Sequence, residues 1–179
     1  RLMLGETGLW SNISVEVADG ASVTAVQNDL KRTLGDGFLV ETGDESFLES
    51  HRRDITTVFF DLRGFTAFAE TAEPEEVMGV LREYHASMGK LILEHEGTHE
   101  RFTGDGMLVF FNDPVPVPNP AERAIRMAVA MRTRVAGLAE SWVRQGHDLG
   151  FGIGIAQGYA TLGTVGFDGR HDYAAIGSV

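Results

Sequence analysis

The chain has 179 residues, 43% of them apolar, no cysteine and a formal charge of −11. That is enough apolar material for one core of ordinary size. Disulfides and thiolate metal sites are excluded, and so acidic a chain is a poor general binder of nucleic acid. No run approaches the roughly 20 apolar residues of a membrane span, and no secretory signal is visible in the first residues. A reducing, cytoplasmic setting without membrane contact is therefore expected.

Residues 1–50 hold nine acids and three bases, so −6 of the net charge lies there. Glycines punctuate this stretch, at Gly5, Gly8, Gly20, Gly35, Gly37 and Gly43. Ile13 to Val17 alternates like a strand, and Val23 to Leu34 has helical spacing with Val26, Leu30 and Leu34 on one side. No chemical motif occurs here, and a linker or upstream regulatory segment is expected over 1–50. The chain opens on Arg1 and closes on Ile176-Gly177-Ser178-Val179 with no terminating turn; a fragment of a longer protein is expected.

From Asp54 the pattern sharpens. Ile55 to Phe60 is β-branched and aromatic, which predicts a buried strand. Pro74 to about Glu94 predicts a helix, with Val77, Leu81, Tyr84, Met88, Leu91 and Ile92 on its apolar side, Pro74 in its first turn and Gly97 at its exit. Thr98 to Thr103 and Met107 to Phe111 predict a hairpin around Gly104-Asp105. Asn119-Pro120-Ala121-Glu122 has the form of a capped helix start, followed by a stripe of Ile125, Ala128, Val129, Val135, Leu138 and Trp142. Phe151, Ile153 and Ile155 alternate with Gly150, Gly152 and Gly154, which predicts a strand with one bare face open to close approach. Tyr159 to Gly166 and His171 to Ile176 complete a strand pair or one long bent strand. The order suits an α+β, ferredoxin-like (βαββαβ-type) sheet with helices on one face.

Two carboxylates stand out in this frame. Asp61 closes the first apolar strand and is followed by Arg63, Gly64 and Thr66, whose turn leaves amides open to phosphate oxygens. Asp105 sits between Gly104 and Gly106 at the hairpin tip. Alone it is a common turn residue. In this topology, however, the first strand and the hairpin are neighbours, so both carboxylates reach one place. Hard cations such as Mg²⁺ take few carboxylates plus substrate phosphates, and two such ions can serve a displacement at phosphorus.

From Asp54 to Val179 the chain resembles the catalytic domain of the class III nucleotide cyclases, the adenylate and guanylate cyclase family, in its bacterial branch. The resemblance rests on V-F-F-D-L-R-G-F-T, R-F-T-G-D-G-M-L-V-F-F, G-I-G-I-A-Q-G-Y-A-T-L-G-T-V-G and D-Y-A-A-I-G-S-V. It implies a catalytic domain over 51–179 that converts ATP, or less readily GTP, to the 3′,5′-cyclic monophosphate and pyrophosphate. It implies two ions, Mg²⁺ or Mn²⁺, on Asp61, Asp105 and the Leu62 carbonyl, one helping to ionise the ribose 3′-hydroxyl and the other holding the triphosphate. The amides of Arg63, Gly64, Phe65 and Thr66 match the loop that holds the β- and γ-phosphates, with Gly104 beside them. A head-to-tail homodimer is implied, because the family builds its sites between two catalytic domains.

Two positions depart from the family's pattern. Where adenylate-specific members carry Lys, four residues before the second metal aspartate, this chain has Arg101. Where they carry Asp or Thr, three residues before Gly177, it has Ala174, which offers no side-chain hydrogen bond. Arg101 still donates to a purine, but its planar fork differs from an ammonium. The family's following Asn and Arg would lie beyond Val179, so a nucleotide-binding or dimerising regulatory module without turnover is the alternative. A diguanylate cyclase fits less well, since G-G-[DE]-E-F is absent.

His95-Glu96-Gly97-Thr98-His99 matches the zinc-protease pattern H-E-x-x-H. That site needs one continuous helix, whereas Gly97-Thr98 predicts a helix exit. No zinc site is expected. His171, Asp172 and Ser178 supply triad residue types without a nucleophile elbow, and the glycines of 150–166 are not followed by the helix that a dinucleotide loop requires.

Overall fold

The computed structural model describes residues 20–34, 49–167 and 170–178. The chain divides into two compact units, within 1–46 and 47–179. In the first lies helix α1, Val23–Leu34, with the bounds its spacing predicts. The strand expected over Ile13–Val17 falls outside the described residues.

The second unit runs β1 (His51–Arg63), α2 (Phe65–Thr71), α3 (Pro74–Glu94), β2 (Thr98–Thr103), β3 (Gly106–Phe111), α4 (Pro120–Arg144), β4 (Gly150–Phe167) and β5 (Arg170–Ile176). The sheet order is β2-β3-β1-β4-β5 and every neighbouring pair is antiparallel. This is the expected α+β sandwich of helices on a ferredoxin-like sheet, extended by β5.

β1 is central, and its period of two divides the molecule. Val58, Phe60 and Leu62 face the helices and are buried with Met107, Val109 and Phe111 of β3. Against them pack Val80, Tyr84, Met88 and Ile92 of α3 and Met127, Met131, Val135, Leu138 and Trp142 of α4. The alternate residues Phe59, Asp61 and Arg63 lie on the other face, where Phe59 remains 44% exposed. Toward the far end, Ile55, Phe110, Ala160, Leu162 and Tyr173 form a second, smaller buried cluster.

Four local expectations need correction. β1 continues two residues past Asp61, because its ladder with β4 extends to Arg63↔Gly150. Asn119 precedes α4 in a left-handed conformation and makes no side-chain cap; Glu122 bonds Arg126 instead of closing a box. The box forms at α3, where the Glu76 carboxylate accepts the Glu73 N–H at 3.2 Å. Ile125 and Val129 are 55% and 62% exposed, and the buried stripe of α4 is completed by Ala124, Met127 and Met131. Finally, the left-handed residue at the exit of α3 is Glu96, φ 62°. Gly97 is needed for space: a Cβ there would lie 2.8 Å from Val109 Cγ1.

The start of β1 is anchored by a buried charge. Asp113, in the β3–α4 loop, is fully buried. Its carboxylate accepts hydrogen bonds from His51 Nε2 (2.9 Å) and from the Tyr173 hydroxyl, and pairs with Arg53 at 3.2 Å. Its carbonyl accepts Thr98 Oγ1 at 2.7 Å. One residue thus ties β1, β2 and β5. Removing it leaves a buried phenol without its acceptor and takes the carboxylate from His51 and Arg53, the latter keeping only the Asn112 carbonyl. Asp113→Ala is expected to cost about 3 kcal/mol in urea unfolding. The Asp113 bond raises the His51 pKa, helped by the Glu49 carbonyl and opposed by burial and Arg53. Folding therefore favours protonated His51. This stabilisation is complete below the ordinary histidine value and is lost as pH rises through the folded-state value. The melting-temperature gap between wild type and His51→Gln should be widest below the ordinary histidine value and narrow as pH rises above it.

Candidate active site

Asp61 projects from the open face of β1 because the neighbouring positions, 60 and 62, are claimed by the core. Asp105 comes from the two-residue turn joining β2 to β3, where Thr103 pairs with Gly106. Gly104 supplies the positive φ (75°) that such a turn requires at its first central position. The hairpin lies beside β1, and Asp105 Oδ2 accepts the Leu62 backbone N–H at 3.0 Å. Two carboxylates distant in sequence therefore meet at adjacent backbone positions of one strand.

Space for the first carboxylate comes from β4. Asp61 pairs with Gly152, and a Cβ at Gly152 would collide with Asp61 Oδ1. The bare face expected of this strand thus receives side chains of β1: Asp61 at Gly152 and Arg63 at Gly150. Gly154 faces open space.

Neither Asp61 nor Asp105 is paired with a base among the described residues. Beneath them the Tyr84 phenol is buried with no hydrogen-bond partner among those residues; burial first, then the charges of Asp105 and Asp61, push its pKa well above the ordinary value. Two carboxylates side by side, with the Arg63 side chain next along the same face, form a polar, anion-lined site. No group of three or more His, Cys, Asp or Glu able to hold a metal occurs among the described residues. That donor set fails as an all-protein cage. It fits a hard cation that takes its other ligands from backbone, water and phosphate.

Next to the carboxylates the backbone turns. Gly64 adopts φ 83° and precedes α2, whose first amides have no intrahelical acceptor. Arg63, Gly64 and Thr66 are exposed, and Phe65 is partly buried. The turn is held from behind, since a Cβ at Gly64 would lie 3.1 Å from the Asp148 carbonyl. A cavity of about 510 Å³ opens there, lined by Gly64, Phe68, Thr71, Glu76, His147 and Asp148; it contains neither Asp61 nor Asp105.

The structure gathers Asp61, Leu62, Asp105 and the Arg63–Thr66 turn, with Gly104 at the hairpin tip. Arg101 lies on the edge strand β2, 56% exposed, and bonds Glu100 at 2.5 Å. Ala174 is not part of that group. It is buried on β5 opposite Gly163, eleven positions along β4 from the partner of Asp61. Glu100 has no signal in the sequence, because a bulged register leaves no mark in composition or periodicity; the glycine alternation marks Gly152 as part of a bare face but not which side chain fills it. His95 and His99 are separated by the end of α3, as their spacing around Gly97 implied.

The model of the adenylate and guanylate cyclase catalytic domain matches residues 48–178. Adenylate cyclase 1 of Rhizobium meliloti is 32% identical over 139 residues, which cover 77% of this chain and 21% of that protein. An adenylate cyclase of Anabaena cylindrica is 33% identical over 130 residues, 70% of this chain and 25% of that protein. The chain thus spans about a quarter or less of these relatives. Among solved structures, the adenylyl cyclase CyaB from P. aeruginosa superposes with a TM-score of 0.70 at 38% identity, covering 73% of this chain and 69% of that one. The guanylyl cyclase Cya2 superposes at 0.68 and 37%, covering 72% and 66%.

Gly152→Ala should displace the Asp61 carboxylate while leaving the core intact. Mn²⁺ affinity, read by calorimetry, is expected to fall about 10–100-fold with little change in melting temperature.

Proposed function

The chain belongs to the adenylate and guanylate cyclase catalytic-domain family, the class III nucleotide cyclases, and on that premise we propose that residues 51–179 form the catalytic domain of a metal-dependent purine nucleotide cyclase acting on ATP in preference to GTP. Residues 1–50 are then a linker or regulatory segment that carries an upstream signal to it. In the reaction the ribose 3′-oxygen loses its proton and bonds to the α-phosphorus. The bond from that phosphorus to the β-phosphate oxygen breaks, and pyrophosphate leaves.

The observation that carries this reading is the Leu62 N–H bond to Asp105, which sets two unpaired carboxylates side by side. Asp61, Asp105 and the Leu62 carbonyl would hold Mg²⁺ or Mn²⁺. When bound, the two ions supply Lewis-acid activation of the 3′-hydroxyl and neutralise charge on the leaving pyrophosphate. The Arg63–Thr66 turn presents amides and a guanidinium to the β- and γ-phosphates, and the hairpin tip at Gly104 leaves room beside them. Arg101 and Ala174 stand for the purine side of the site.

A head-to-tail homodimer belongs to the same proposal. The eleven positions of β4 that separate the partners of Asp61 and Ala174 amount to about 35 Å of strand. Within one protomer Ala174 is thus remote from the carboxylates, whereas Arg101 sits two strands across from Phe59; a second copy, inverted over the open face, would bring its own Ala174 toward them.

Asp61→Ala and Asp105→Ala are each expected to lower cyclic nucleotide formation at least about 100-fold with Mn²⁺ or Mg²⁺. EDTA should abolish it and Mn²⁺ restore it. Unchanged product in either variant would remove the metal roles. Nucleotide binding without product in the wild type would assign the chain to the silent regulatory class.

A further inference from the structure

The β2–β3 ladder is regular from Thr98↔Phe110 to His99↔Val109 and resumes at Arg101↔Leu108. Glu100 is the extra residue of a bulge. Bulges re-aim side chains and are common beside functional sites. This one buries a carboxylate. The Glu100 side chain is 2% exposed, one oxygen lies 2.5 Å from the Arg101 guanidinium, and the other is buried without a hydrogen-bond partner among the described residues. Such an arrangement costs stability, because half the carboxylate is desolvated and unpaired. An apolar residue of similar size would pack there at lower cost.

What the carboxylate does is hold a neighbour. Arg101 is more than half exposed, and a long arginine side chain in solvent samples many rotamers. A bond to a buried, immobile oxygen confines its guanidinium plane. A confined guanidinium is a directional donor, and adenine and guanine differ in where they accept. Adenine presents the N1 acceptor beside the N6 amine. Guanine presents the O6 acceptor beside N1–H. A freely rotating donor finds either acceptor, whereas a fixed one finds one of them. Ala174 contributes no hydrogen bond, so discrimination rests on β2.

We infer that Glu100 is a positioning residue that orients Arg101 and thereby sets the choice between the two purine triphosphates. The inference rests on the nucleotide site proposed above.

The test is equilibrium binding of 3′-deoxy-ATP and 3′-deoxy-GTP, which cannot cyclise, with Mg²⁺ to the full-length protein. Wild type is compared with Glu100→Gln, Glu100→Ala and Arg101→Lys. Wild type should separate the two nucleotides. In Glu100→Ala and Arg101→Lys the ratio of the two dissociation constants should move toward one by about tenfold, and in Glu100→Gln by less, since the amide oxygen still accepts from Arg101. Mn²⁺ affinity should be unchanged. A purely structural Glu100 would weaken both nucleotides together and leave the ratio alone, and that result overturns the inference. Should Glu100→Ala unfold, Glu100→Met, of similar size and without an acceptor for Arg101, decides by the same ratio. Equal affinities in wild type overturn the inference but leave the nucleotide site standing. Failure of wild type to bind either nucleotide overturns both.

Discussion

The central strand has two faces, and each makes an incompatible demand on the chain. Val58, Phe60 and Leu62 must be buried for the helices to have something to pack on. Asp61, between two of them, must stay hydrated or bind a cation, since a lone buried carboxylate is costly. The period of two satisfies both at once, and it lets the core fix the direction of the carboxylate. A strand with buried residues on either side of the functional position has little freedom to turn. Rigidity at Asp61 is thus a by-product of packing on the opposite face.

The second carboxylate arrives by another route. Asp105 is on a hairpin tip, where backbone geometry alone would leave it mobile. The Leu62 amide holds it, so the strand that carries one anion anchors the other. Small residues do the rest. Gly152 makes room for an Asp61 oxygen, and Gly106 leaves space for the Thr103 hydroxyl and the Phe59 ring, which a Cβ would approach to 2.5 and 3.0 Å.

At the far end of the same strand the problem is reversed. Asp113 is buried and fully engaged, with a histidine, an arginine and a phenol around one carboxylate. Its partners come from β1 and β5, and Tyr173 is the residue before Ala174. The loop that follows β3, the entry to β1 and the strand assigned to the base side are held as one piece. β1 therefore joins a carboxylate engaged by three side chains at one end to a pair of carboxylates without a salt-bridge partner among the described residues at the other.

Much of this was legible in the sequence where one short-range rule decided the outcome. Helices α1 and α3 have the bounds that spacing and turn residues predict, and the hairpin has them to within one residue, Gly106 in place of Met107. The Asp61 and Asp105 motifs were legible only as a pair, because the expected topology makes the first strand and the hairpin neighbours. Asn119 was misread because a good capping residue is only a propensity, and Ile125 and Val129 because helical spacing reports periodicity but not which arc meets the sheet. By itself the sequence determined most of the elements, their order and the residue types at the two acidic motifs, all of which depend on neighbours a few residues apart, but not that 150–167 is one continuous strand. Only the tertiary structure decided that Asp105 bonds Leu62, that Gly152 shelters Asp61, that Asp113 is buried and that Glu100 is bulged. Each of those joins residues tens of positions apart, through register and close packing, which no local pattern encodes.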